Sequence, residues 1–303
     1  MTDLAVAICT YRRNGPLRDL LERLLDEAAS TTEAVRLGVA VIDDSPTGEA
    51  QSLAAEFNDR FALGVTYRNT ASGNISTARN AAVEAGIALG EWVMFIDDDC
   101  LPAVGWFAHL FGVQRDTGAD LVTGPIRDVA PVGSPRWITE QPFLNMISEY
   151  EDRSEPPYGT TANVLISADW LRSHPQVRFR PELGRLGGED MVFFETARAA
   201  GIRHRYSLDA VVVEQIPLAR TTFRYQLRNK LWFGNTIYVT NLASGTSRNR
   251  LALRGARQLV GALTRPFARA AHREPPQWRY AAAGLLQAVG LLAGRVGVRL
   301  NHH

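Results

Sequence analysis

The stretch EWVMFIDDDC, residues 91–100, runs Val93, Met94, Phe95 and Ile96 straight into Asp97, Asp98 and Asp99. A short apolar run of this kind reads as a strand buried on both faces. Three adjacent carboxylates at its end repel one another, and each is costly to desolvate. Two readings account for them. As N-caps they would complement the dipole of the next helix, but Leu101 and Pro102 intervene before that helix, which begins near Gly105. As a hard-cation site, carboxylates at i and i+2 in a turn converge on Mg²⁺ or Mn²⁺, ions that keep waters and take a substrate diphosphate.

Upstream, strand and helix patterns alternate. LAVAICT and RLGVAVIDD read as strands, PLRDLLERLLDEA and GEAQSLAAEF as helices, then GVTYR as a strand and ISTARNAAVEAGIAL as a helix. Strands about 30 residues apart with helical crossovers predict a parallel sheet covered on both faces. Ligands of such sheets lie beyond the strands' carboxyl ends. Thr10 with Tyr11, Asp43 with Asp44, and Asp97, Asp98 and Asp99 all fall there. A carboxylate at Asp43 can accept a base N–H or bind metal; Ser45-Pro46 behind it equally suits a turn or cap. Arg79 offers a planar fork to phosphate or nucleobase oxygens, or is a surface helix arginine.

After Gly105 the pattern loosens. A helix over 106–117 precedes a strand at DLVTGPI, and residues 129–158 read as a long functional loop. TANVLIS resumes a strand, ADWLRSH a short helix, GGEDMVFFETARAAG a helix with acids in its first turn, and AVVVEQIP a last strand. Glu189-Asp190 in that first turn also suit simple dipole complementation. Gly187-Gly188 before them point instead to a close approach of backbone and ligand. Beyond Pro217 the chain reads as helical, which places a boundary there: a catalytic domain over 1–216, in halves 1–100 and 101–216, and a helical region over 217–303.

The net charge is +1 over 303 residues, so nothing pulls the chain toward nucleic acid. The stretch 220–279 is different: arginines recur and Glu274 is its only acid, which suits phosphates or anionic headgroups. Trp232, Phe233, Phe267, Trp278 and Tyr280 interleave with those arginines, as in interfacial helices. Packing on the catalytic domain or on a twin subunit in a homodimer suits them equally. YAAAGLLQAVGLLAGRVGV, residues 280–298, is about the length of a membrane span. Gln287, Arg295 and four glycines make it a packed or interfacial helix instead. Cys9 and Cys100 read as core-edge residues rather than a disulfide, and no secretory pattern opens the chain. The expected location is the cytoplasm, with the inner face of the plasma membrane as a peripheral site.

AICTYRR, VIDDS, ISTARNAA, FIDDDC and GGED, in this order and spacing, resemble the family-2 nucleotide-sugar glycosyltransferases of GT-A fold over residues 1–215. The resemblance implies an α/β fold whose mostly parallel sheet has helices on both faces, with a Rossmann-like nucleotide-binding half. It assigns Thr10, Tyr11, Arg12, Asp43, Arg79, Asp97, Asp98 and Glu189 to the nucleotide-sugar donor, expected to be a UDP-sugar, with Asn163 in the sugar pocket. Asp99, with Asp97, falls at the Mn²⁺ or Mg²⁺ position, and Asp190 at the catalytic base. Hexosyl transfer to a saccharide, lipid-linked or small-molecule acceptor, by single displacement with inversion, is the reaction it implies. RYQLRNKLW is a loose counterpart of a Q-x-x-R-W segment, and Glu214-Gln215 stand where some relatives place a metal-contacting histidine. The missing exact motif and the absence of convincing spans argue against a processive synthase.

Other nucleotide enzymes lack support. There is no G-x-G-x-x-G after the first strand, no G-x-x-x-x-G-K-[ST], and Thr10-Tyr11 occupy the place of a phosphotransferase's nucleophilic aspartate. A metal-dependent nucleotidyltransferase and a catalytically silent subunit of the same fold are the remaining alternatives.

Overall fold

The structure is a computed structural model that describes residues 1–145 and 149–301. By contacts the chain divides into two compact units, one of Met1–Arg127, Ile147–Gly184 and Glu189–Gln215, the other of Asp128–Met146, Arg185–Gly188 and Ile216–His303.

The first unit opens with β1 (Thr2–Thr10), α1 (Asn14–Ser30), β2 (Val35–Asp43), α2 (Gln51–Phe57), β3 (Val65–Asn69), α3 (Ile75–Leu89) and β4 (Trp92–Ile96). β5 (Cys100–Pro102), α4 (Trp106–Thr117), β6 (Leu121–Thr123) and β7 (Ile126–Val129) follow. Beyond α5 (Trp137–Glu140), which belongs to the second unit, the first continues with β8 (Asn163–Ser167), α6 (Ala168–Ser173), α7 (Glu189–Ala199), β9 (His204–Tyr206) and β10 (Val212–Gln215). The main sheet has the order β3-β2-β1-β4-β8-β6-β9. β1, β2, β3 and β4 pair in parallel, as do β6 and β9, whereas β8 runs antiparallel to both β4 and β6.

Strand alternation sorts side chains to two cores. Leu4, Val6 and Ile8 of β1 face one way, with Met94 and Ile96, against Leu17, Leu20, Leu21 and Leu24 of α1 and the aromatics of α4. Those leucines recur at helical spacing, and full burial of each contributes about 1.5–3 kcal/mol. Ala7, Val93 and Phe95 face the other way, against Ala78, Ala81 and Ala82 of α3 and against α6 and α7. Small residues let α3 lie close: a Cβ on Gly86 would sit 2.6 Å from Val93. Asn74 caps the helix by accepting from the Thr77 N–H at 3.2 Å.

Two strands escape the sequence patterns, β5 and β9. At three residues each they are too short to show a period. DLVTGPI divides into β6 and β7 at Gly124-Pro125, where Pro125 has no N–H to give a ladder. The expected loop at 129–158 contains α5, and its residues 146–148 lie outside the described ones.

The second unit centres on α8 (Phe223–Ala243), α9 (Arg248–Ala271) and α10 (Trp278–Arg295). Thr222 and Ser247 cap α8 and α9 through their side chains. The glycines of 280–298 have a packing role: a Cβ on Gly290 would meet the Leu231 carbonyl oxygen at 1.9 Å, and one on Gly234 that of Gln287 at 1.9 Å. Backbone thus meets backbone between α8 and α10. Among the described residues no helix is long and apolar enough to cross a membrane.

Candidate functional site

Three strand ends meet at one rim of the main sheet. Thr10 ends β1 in register with Asp43, the last residue of β2, while β4 on the other side of β1 leads directly into Asp97. Thr10 donates its hydroxyl to Asp98 Oδ2 at 2.8 Å. Arg13 donates to Asp98 Oδ1 at 2.9 Å and, from the same nitrogen, to Asp99 Oδ2 at 2.7 Å. Burial pushes the Asp98 carboxyl up to about 6, against the pull of Arg13 and the Thr10 hydrogen bond.

Arg13 was not among the residues singled out from sequence. It carries a signal all the same. It is the N-cap residue of α1, where a cation opposes the helix dipole and where no side chain caps the helix. A cation at such a position implies carboxylates close by.

The acidic pair after β2 serves the loops. Asp43 Oδ1 accepts from the Ser45 N–H at 2.8 Å, and Oδ2 from the Ala50 N–H at 2.8 Å and the Tyr67 hydroxyl at 3.1 Å. Asp44 accepts from Thr70, from Ser72 twice and from the Asn74 N–H, all within 2.8 Å. Both carboxylates are buried, and together they fix the turns that lead into α2 and α3.

Arg79 is neither a surface arginine nor a free fork. Its side chain is buried and donates to Glu189, the first residue of α7, with Asp97 at 3.6 Å from its other terminal nitrogen. Burial works against its charge, but Glu189, Asp97 and Asp190 outweigh that and raise its pKa above the ordinary arginine value. Asp190, next to Glu189, is pushed up to about 6, first by burial and then by the Glu189 charge, with Arg79 opposing. Asp97 is raised too, by desolvation first, although 42% of its side-chain surface stays accessible. Arg79 therefore ties the strand-end acids to the start of α7.

Other expectations need correction. Asn163 does not line a pocket: it is fully buried, donates to the Pro125 and Ala210 carbonyls at 3.0 and 2.7 Å, and accepts from the Trp106 indole at 2.9 Å. Gly187 and Gly188 hold positive φ, but Cβ atoms there would meet Trp232 at 2.3 Å and Thr240 at 2.2 Å. Neighbouring side chains, not ligand space, demand those glycines. Arg12 reaches Glu49 at 3.5 Å from a left-handed backbone, with its guanidinium 5.5 Å from the centroid of the Tyr11 ring, which is 46% exposed beside the strand end. β10 pairs with β5, and the Gln215 N–H bonds the Asp99 carbonyl at 3.2 Å, which brings Glu214-Gln215 alongside the acidic turn. Cys9 and Cys100 are both free thiols.

No group of three or more His, Cys, Asp and Glu side chains forms a metal cage among the described residues. The arrangement can bind a cation between Asp98 and Asp99, as the Arg13 guanidinium does, and of its three raised carboxylates, Asp97, Asp98 and Asp190, the last opens α7 and is able to take a proton near neutral pH.

The family described as Glycosyl transferase family 2 matches residues 5–173. Over 300 residues the chain is 30% identical to the Succinoglycan biosynthesis protein ExoM of Rhizobium meliloti (strain 1021), covering 97% of this chain and 93% of that protein. Among solved structures, S. aureus TarS 1-349 in complex with UDP-GlcNAc superposes with a TM-score of 0.56 at 15% identity, covering 93% of this chain and 90% of that one. GalNAc-T7 with UDP, GalNAc and Mn²⁺ gives 0.53 at 15% identity, over 78% of this chain and 49% of that one. These structural likenesses are likenesses of fold.

Proposed function

The chain belongs to glycosyl transferase family 2, and from that premise we propose that it moves a sugar from a UDP-sugar to a hydroxyl of a saccharide or lipid-linked acceptor, with inversion. The observation that carries the reading is the place of Asp190 in the first turn of α7, next to Glu189, whose ion pair with Arg79 links that turn to Asp97 at the strand end. UDP-sugar as donor draws support from the UDP-GlcNAc bound by TarS. A saccharide acceptor draws support from the likeness to a succinoglycan biosynthesis protein.

In this mechanism Asp190 accepts the proton of the acceptor hydroxyl as its oxygen attacks the anomeric carbon. The bond from that carbon to the diphosphate oxygen breaks, and its electron pair leaves with UDP. One displacement inverts the anomeric centre. A sugar hydroxyl is a poor nucleophile, and a positioned base contributes roughly 10²–10⁴-fold. Arg79 and Glu189 hold the start of α7, so the base keeps its orientation. The exposed Tyr11 ring offers a face on which a base can stack.

The rim also fits a hard divalent cation. Asp99 already meets a positive charge, the Arg13 guanidinium, and Asp97 lies 3.6 Å from Arg79 with 42% of its side chain accessible, so both present carboxylate oxygens to cations at the rim. Asp99, with Asp97, would hold Mn²⁺ or Mg²⁺, which neutralises charge on the leaving diphosphate when bound.

The test is a product assay. Incubation with UDP-sugars and saccharide acceptors should release UDP and give a glycoside of inverted configuration by NMR, with Asp190→Asn inactive yet still binding UDP. Pyrophosphate release from UTP, with no UDP from UDP-sugars, would assign nucleotidyl transfer instead. Retained transfer by Asp190→Asn would remove Asp190 as the base.

A further inference from the structure

Helix α9 has two apolar faces. Leu251, Gly255, Ala262 and Pro266 are buried; Gly255 meets Leu291 and Leu292 of α10, and Ala262 meets Gly284. On the opposite side lie Leu253, Ala256, Val260, Leu263 and Phe267, spaced three and four residues apart in a single stripe. All five are exposed, the four large ones more than half, and Phe267 stacks edge-on with the exposed Trp278 at 5.4 Å. A continuous apolar stripe open to water calls for an occupant.

Charge selects among occupants. Arg250, Arg254, Arg257 and Arg265 flank the stripe and line an open groove along the helix with Leu253 and Gln258. α9 contains no acid, and among the described residues none of these four arginines makes an ion pair. A second copy docked on the same stripe would set arginines against arginines. Nucleic acid would use the arginines and leave the apolar stripe in water. An anionic bilayer satisfies both: the stripe enters the acyl boundary while the guanidinium groups meet lipid phosphates.

We propose that the outward face of α9 docks on an anionic lipid bilayer, the helix lying in the interface plane. This goes beyond the transfer reaction and does not depend on it, since the test reads binding alone. The full chain is floated with vesicles of phosphatidylcholine, or of phosphatidylcholine with one-third phosphatidylglycerol. It should bind the anionic vesicles and leave them at high salt. Each basic residue near such a surface is worth roughly fivefold in binding. Arg250→Gln, Arg254→Gln, Arg257→Gln and Arg265→Gln combined should therefore lose roughly several hundredfold.

Leu263→Ser with Phe267→Ser should also abolish flotation, with an unchanged far-UV circular dichroism spectrum. Wild-type chain that stays out of the anionic vesicles overturns the proposal. So does binding that neither salt nor the arginine changes weaken. A dimer in light scattering that Leu263→Ser with Phe267→Ser dissociates, without vesicle binding, would assign the stripe to a second copy instead.

Discussion

Arg79 on α3 and Glu189 on α7 form a buried ion pair across 110 positions of the chain. Removing one member of such a pair leaves the other desolvated and unpaired. Arg79→Leu should therefore cost about 3–5 kcal/mol in urea denaturation. The double change Arg79→Leu with Glu189→Leu should recover most of that stability while activity stays lost. A loss below about 1 kcal/mol for the single change would mean the pair behaves as an exposed one.

Asp190 predicts a pH profile. The carboxylate must be ionised to accept a proton, so kcat/KM should fall about tenfold per pH unit below roughly 6. A profile flat down to pH 5 would exclude Asp190 as the titrating base.

The same carboxyl destabilises the fold at neutral pH. Its pKa rises from about 4 unfolded to about 6 folded. Between those values the native state binds more protons than the unfolded state, so stability falls as pH rises through that window. Above it the full cost is present. Asp190→Asn should thus be more stable than the wild type at pH 7.5, with the gap closing below about pH 4. Denaturation at the two pH values measures it; equal midpoints throughout would refute the burial argument.

Asn163 separates structure from catalysis. Asn163→Ala leaves the Ala210 carbonyl and the Trp106 indole N–H buried without partners, while the Pro125 carbonyl keeps the Val212 N–H at 3.1 Å. A loss of about 2–4 kcal/mol is expected, from roughly 1–3 kcal/mol per orphaned group with partial relaxation. The affinity for UDP should stay within about twofold by calorimetry, since the side chain reaches no surface.

Two glycines bracket the packing of the helices. Gly290→Ala drives a methyl against the Leu231 carbonyl and should cost more than about 1–3 kcal/mol. Gly112, inside α4, has nothing within 4 Å of an added Cβ, so Gly112→Ala should gain about 0.5–1 kcal/mol. Melting midpoints that shift alike for the two would overturn this account.

Local patterns along the chain determined a great deal by themselves. The bounds of α3 and α4 follow from helical spacing, caps and flanking glycines, and the strand before Asp97 follows from its apolar run. The gathering of Thr10, Asp43 and the aspartate triplet at one rim follows from the crossover topology. Only the tertiary structure decided where each polar side chain is spent. Arg79 binds Glu189 and Asp97, Asp43 caps its own loop, Asn163 is sealed inside, and Arg13 takes the carboxylates of Asp98 and Asp99. Strand and helix periods are written in near neighbours. A buried hydrogen bond or ion pair is settled by whichever partner the fold brings within about 3 Å, from anywhere in the chain.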